Sequence, residues 1–376
     1  MHEHAEVGFA LDKTTAFIKS ELEKMGYAPQ KCGKAGLIAT VGKVEKGKVF
    51  LLRADMDGLP IQEKTDDSFA CKTGNMHACG HDMHAAMLLG AAKLLKAREN
   101  ELQGMVKILF QPAEELLEGA KDVIAAGVLD KVGGAMMLHV MTNVSLPIGT
   151  IVVASAGVSA PAADYFTIKV RGKSCHGSAP WNGVDALTAA AHILVALQEI
   201  SARELVPGTA ILTVGTLNAG RTGNVIPDYA DMKGTLRAFD EETRIAVKNR
   251  LEEIVKNTAK AFRARAKVEY GGGCPTLVND EKMSALAERV AKEILGEKNV
   301  FTSAKLQGDT KEKNGGSEDF AYISHEVPSV MIALAAGEAK NGYEYPLHHP
   351  KARFDEKALS VGAALYAQIA MHYFLS

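Results

Sequence analysis

Residues 47–58, GKVFLLRADMDG, open on an apolar run and close on a polar loop with two aspartates. Four successive apolar residues, Val49 to Leu52, suit a strand covered on both faces. Outward from it the pattern alternates. Residues 15–26 (TAFIKSELEKMG) and 84–101 (HAAMLLGAAKLLKARENE) have helical spacing, and 104–112 (GMVKILFQP) reads as a second strand. Residues 113–127 (AEELLEGAKDVIAAG) then read as helix and 133–140 (GGAMMLHV) as strand. Such alternation argues for an α/β fold with a mixed, largely parallel sheet covered by helices. Ligands of such sheets collect at the carboxyl ends of the strands.

From about residue 161 the order becomes strand, helix, strand, strand, helix, strand, ending at AKVEYGGG (266–273). That is the order of an inserted ferredoxin-like α+β domain. The expected division is 1–160 with 273–376 as one α/β domain, and 161–272 as the inserted domain.

The chain has 376 residues, 47% of them hydrophobic and 23% charged, with 43 Lys+Arg against 45 Asp+Glu. A formal net charge of −2 offers no field to attract nucleic acid or an anionic membrane. No apolar run reaches the roughly 20 residues of a membrane helix, and the first residues lack a signal-peptide pattern. Five scattered cysteines imply no disulfide framework, so a cytoplasmic location is expected.

Chemistry concentrates in a few segments. Residues 75–86, NMHACGHDMHAA, hold His77, Cys79, His81, Asp82 and His84. On an extended segment His77, Cys79 and His81 would point to one side, with Asp82 as the N-cap of the following helix. A thiolate and imidazoles converging from a loop suit Zn, Mn, Co or Ni; the plainer alternative is a loop whose polar groups satisfy backbone. In FQPAEELLEG (110–119), Pro112 suits a first helical turn, and Glu114 and Glu115 either complement the helix dipole or diverge to two different jobs. His139 ends an apolar strand, Asp55 and Asp57 follow another, and His348 and His349 precede Pro350. Outside that set, His176 sits in a Gly/Ser-rich stretch that lets a ligand approach the backbone, beside Cys175, which reads as packing. Asn224 and Arg237 lie further along.

The segments RADMDGLP, MHACGHDMH, FQPAEE, LHV, CHGSAPWNGVDA, NVIPDYADMKGTLRAF, GGSEDF and LHHP, in this order, resemble the M20 metallopeptidase family. The likeness is to its amidohydrolase branch of aminoacylase-, hippurate hydrolase- and auxin-conjugate hydrolase-like enzymes. It implies two divalent metal ions held by Cys79, His81, Glu115, His139 and His348, with His349 and Asp57 behind them. Glu114 matches the general acid/base that works with a metal-activated water. His176 matches a histidine of the inserted domain that reaches an active site, commonly a partner's, and implies a homodimer. Asn224 and Arg237 match substrate-binding positions. The departures at Ser329 and Ala352 touch no implied ligand.

The expected activity is therefore metal-dependent cleavage of the amide bond of N-acyl amino acids or small peptides. A dipeptidase or N-acetyldiaminopimelate deacetylase-like activity is the nearest alternative. A thiol hydrolase built on Cys79 or Cys175, and a non-catalytic small-molecule binding protein, are the readings from other classes.

Overall fold

The structure, a computed structural model, describes residues 1–307 and 316–375. Gly315, the first residue of GGSEDF, lies outside the described residues. The chain forms two compact units, one over Met1–Ser159 that resumes at Leu277, the other over Ala160–Thr276. Among the described residues no helix is long and apolar enough to cross a membrane.

The larger unit is built on an eight-stranded sheet. Across it run Gln30–Cys32, Gly36–Gly42, Met105–Gln111, Val49–Asp55, Val132–Met141, Ser329–Ala335, Ile151–Val153 and Val300–Thr302. The middle four strands are parallel, and every residue of Val49–Asp55 is buried, as its apolar run requires. The sheet is mixed and largely parallel, as expected. The hairpin at Gln30–Gly42 and the short strand Ile151–Val153 add antiparallel pairings toward its margins, and Val300–Thr302 closes the far edge parallel to Ile151–Val153. Strands of three residues are too short to show a period, so the alternation pattern misses them.

Helices His81–Ala97 and Ala358–Tyr373 pack closely because glycines face them across the contact. A Cβ on Gly90 would lie 2.8 Å from that of Ala363, and one on Gly362 would overlap Met87 Sδ at 2.0 Å. Tyr366, wholly buried on the second helix, joins two central strands. Its hydroxyl accepts from the Leu138 N–H (2.9 Å) and donates to the Arg53 carbonyl (2.8 Å).

The smaller unit has a four-stranded antiparallel sheet in the order Ala210–Ala219, Tyr229–Ala238, Ala162–Arg171, Arg265–Cys274. Numbered along the chain, that order is 2-3-1-4, the ferredoxin-like arrangement expected. Its helices Ala186–Glu199 and Glu241–Ala261 are capped by Asp185 and Asp240, whose carboxylates accept the first free amides. Phe166, Ile168, Met232 and Leu251 fill the core beneath them.

Tyr366→Phe should lower the stability of the larger unit by about 2 kcal/mol, because two buried backbone groups lose their partner. The urea midpoint of the folded chain reads this; an unchanged midpoint would show that the hydroxyl carries no such tie.

Candidate metal centre and hydrolytic site

The strand ends deliver the chemistry. Asp55 closes its strand, with Asp57 two residues on; Gln111 closes another just before Glu114 and Glu115. His139 stands near the end of Val132–Met141, and His81 is the first residue of its helix. His348 arrives on a loop whose backbone N–H donates to the Ala78 carbonyl (2.9 Å), beside Cys79.

These side chains converge. Cys79, His81 and His139 place one ligand atom each within 4.8 Å of one another, and so do Cys79, Glu115 and His348. His81, Glu114 and Glu115 form a third such group. Cys79 Sγ is 3.5 Å from His139 Nε2, and His348 Nε2 is 3.3 Å from Glu115 Oε1. His81 Nε2 lies 4.0 Å from Glu115 Oε1 and 3.9 Å from Glu114 Oε2. The structure thus brings together all five residues named as ligands, with Glu114 beside them.

The donor set fits divalent metal. Both ring nitrogens of His81 and Glu115 Oε1 are buried without a hydrogen-bond partner, although Asp57 Oδ1 lies 3.4 Å from His81 Nδ1. Buried polar atoms left in this way cost free energy unless something binds them. Burial alone would push the Cys79 thiol up, but His139 and His81 beside it hold it at about 6, where thiolate is plentiful. His139 Nδ1–H donates to the Val140 carbonyl (2.7 Å), which turns Nε2 toward Cys79.

Neighbours hold the ligands in place. Asp57 accepts the amides of Glu114 (3.1 Å) and Glu115 (3.3 Å), fixing the turn that carries both. His84 donates from Nδ1 to Asp55 (2.6 Å) and accepts the Val140 N–H at Nε2 (2.8 Å), so both its nitrogens are committed and it is no ligand. Burial keeps it neutral, lowering its pKa to about 4. Glu114 is pushed well above the usual carboxyl range by burial first, then by Glu318 and Asp319.

Three local expectations give way. Residues 114–117 form a turn, and the helix is confined to Gly119–Ala125, so neither Pro112 nor the glutamates occupy a first helical turn. Ala113 and Leu117 take left-handed φ (53° and 54°), which a continuous helix forbids. Residues 77–80 are not extended but turn at Ala78–Cys79, and His77 stays out of the metal-ligating groups, fully buried with its ring 6.3 Å from that of His2. Asp82 is not the N-cap: the helix starts at His81 after Gly80, and Asp82 Oδ2 accepts instead from His2 Nδ1 (2.7 Å). His349 stacks on Tyr345 (4.4 Å between centroids) and belongs to none of the ligand groups among the described residues.

In the smaller unit, exposed His176 and Asn224 are neighbours. His176 pairs with Val225 across a two-residue ladder, and the Gly177 N–H donates to the Asn224 carbonyl (2.8 Å). Arg237 lies at the other end of Tyr229–Ala238, its guanidinium 5.5 Å from the Tyr165 ring centroid. Sequence reasoning missed Arg53, Gln111, Glu318 and Asp319, which form a buried network behind the metal-facing groups. The signal for Arg53 was there: one arginine inside an otherwise apolar strand.

The model of "Peptidase family M20/M25/M40" matches residues 51–372. The N-acetyl-L-cysteine deacetylase of Bacillus subtilis (strain 168) is 38% identical over 362 residues, covering 96% of this chain and 83% of that one. The hippurate hydrolase of Campylobacter jejuni subsp. jejuni is 34% identical, covering 99% and 94%. The Bacillus subtilis YXEP protein, described as a dinuclear metal binding peptidase from the M20 family, superposes with a TM-score of 0.80 at 34% identity, covering 100% and 95%. The chain belongs to peptidase family M20/M25/M40 and is a metallohydrolase acting on amide bonds.

Asp57→Ala frees the Glu114–Glu115 turn and should weaken metal retention about 10–100-fold. Metal per chain after dialysis against graded chelator reads the change; retention equal to that of the unaltered protein would remove Asp57 from the support of the site.

Proposed function

We propose that the protein hydrolyses N-acyl amino acids, releasing a carboxylate and a free amino acid. The observation that carries this reading is Glu114, a buried carboxyl held high in pKa, beside a five-residue donor set whose His81 and Glu115 atoms lack partners. Cys79, His81, Glu115, His139 and His348 would hold two divalent ions, with Zn, Mn, Co and Ni all compatible with a thiolate, imidazole and carboxylate set. When bound, such ions supply Lewis acidity to a carbonyl oxygen and make water acidic enough to ionise near neutral pH.

Glu114 takes the proton from water as the oxygen attacks the amide carbon. It then delivers that proton to the leaving nitrogen, since an unprotonated amide anion is too poor a leaving group. Its raised pKa lets it keep the proton between the two transfers. The N-acetylcysteine and hippurate names of the relatives both describe N-acyl amino acids, which favours that class over dipeptides or diaminopimelate derivatives.

Arg237 is assigned to the substrate carboxylate, and His176 with Asn224 to the carbonyl oxygen. Within one small unit these are too far apart to meet a single small substrate, because the eight residue-to-residue steps from Tyr229 to Arg237 span about 26 Å. This separation supports a homodimer in which His176 and Asn224 serve the partner's site. All five cysteines are free thiols, which fits a cytoplasmic location.

Glu114→Gln should cut turnover by more than about 1,000-fold while metal content holds, since the proton carrier alone is lost. Release of amino acid from N-acetyl- and N-benzoyl-amino acids, with dipeptides as the comparison, should disappear on chelation and return with added metal. Activity that survives chelation would favour a thiol hydrolase. Mixed Glu114→Gln and His176→Ala chains should regain activity as heterodimers; none, once subunit exchange is verified, would place His176 at its own chain's site.

A further inference from the structure

The geometry points to Ser178 and Thr222 as positioning residues, which aim N–H groups of His176 and Asn224 outward as a paired donor set for the substrate's carbonyl oxygen. This rests on the assignment of His176 and Asn224 to that oxygen. The Ser178 backbone N–H donates to His176 Nδ1 at 3.1 Å, and Ser178 Oγ lies 2.7 Å from the same nitrogen. A backbone amide has no lone pair to offer, so Nδ1 is the acceptor. In a neutral imidazole the proton then sits on Nε2, the nitrogen turned away from the loop. Ser178 Oγ adds a second donor to Nδ1 and reinforces that tautomer.

Asn224 is set in the same sense. Thr222 Oγ1 donates to Asn224 Oδ1 at 2.9 Å, which leaves the amide NH₂ as the outward group. The backbones that carry them are tied together by the Gly177 N–H donating to the Asn224 carbonyl at 2.8 Å. A side chain at 177 would crowd this approach, because a Cβ there would stand 3.0 Å from the Asn224 carbonyl carbon and oxygen.

The orientation matters for the chemistry. As water attacks, the carbonyl oxygen gathers negative charge and is stabilised by N–H groups already pointed at it. The opposite tautomer of His176 would present a lone pair to that charge, and a reversed Asn224 would present its oxygen. Two hydroxyl side chains therefore reinforce the orientation in which the pair attracts the oxyanion. Neither touches substrate.

The test uses the full chain labelled with [¹⁵N]histidine at alkaline pH, where imidazoles are neutral. Two-bond ¹H–¹⁵N spectra, with His176 identified by its loss in His176→Gln, report the tautomer directly. His176 should be wholly Nε2–H in the unaltered protein, and Ser178→Ala should bring in an Nδ1–H fraction. Kinetically, Ser178→Ala and Thr222→Val should each lower kcat about 5–20-fold with KM within about two-fold, less than the loss of a whole donor. Ser178→Thr, which keeps the hydroxyl, should recover most of the loss. A predominantly Nδ1–H His176 in the unaltered protein would overturn the proposal. So would unchanged kcat in Ser178→Ala and Thr222→Val when His176→Ala is crippled. If His176→Ala itself keeps full kcat, the assignment of His176 to the carbonyl oxygen fails instead, and the tautomer result still stands or falls alone.

Discussion

Arg53 is a fully buried cation, and the metal-facing end of the larger unit is organised around it. Taking a guanidinium out of water costs several kcal/mol, so it persists only with its partners supplied. Here they are Asp55 (2.5 Å), Glu318 (2.9 Å), Asp319 (2.8 Å) and the Gln111 side-chain oxygen (3.0 Å). Each partner then performs a second task. Asp55 orients His84, which in turn receives the amide of Val140 next to His139. Asp319 accepts from Gln111 and from the Ala120 amide, fixing the helix that follows the Glu114–Glu115 turn. One arginine thereby links three central strands and the segment at 318–320. The same carboxylates, facing Glu114, help to hold its pKa high.

The turn at residues 113–118 shows how such support is used. Ala113 and Leu117 sit in the left-handed region, and so does His348 (φ 65°), one of the proposed ligands. Each residue of this kind costs of order 1 kcal/mol or more and survives only where its surroundings over-determine it. Asp57 receives the two amides inside the turn, while Ala113 donates to the Gly8 carbonyl (3.1 Å) and its own carbonyl receives the Gly119 amide (3.1 Å). A helix would have sent Glu114 and Glu115 outward from a cylinder. The turn places Glu115 against His348 and Glu114 near Glu318 and Asp319.

The smaller unit follows a different logic. Its core is ordinary, with two capped helices over an antiparallel sheet, and its chemistry sits on loops and strand ends. His176 and Asn224, proposed for the carbonyl oxygen, lie at one end of Tyr229–Ala238, and Arg237, proposed for the carboxylate, at the other.

Much of this was legible in the sequence because it is local. The buried strand at Val49–Asp55 and the two-domain order follow from periodicity and apolar runs. The residue types of the metal centre were also plain, since a cysteine, histidines and paired glutamates have few other uses in such company. What residue type and local spacing, without the motif resemblance, could not determine is which of them converge. His77 and His84 look as suitable as His81, yet one is set apart near His2 and the other is consumed by Asp55 and Val140. The Glu114–Glu115 turn is decided by Asp57, some 57 residues earlier, and the Arg53 network by groups up to 266 residues away. Local propensity carries no information about partners at that distance. Only the packed sheet brings them within hydrogen-bond reach, so the motif resemblance singled out the candidate ligands and the tertiary structure supplies the physical reason that His77 and His84 stand apart from them.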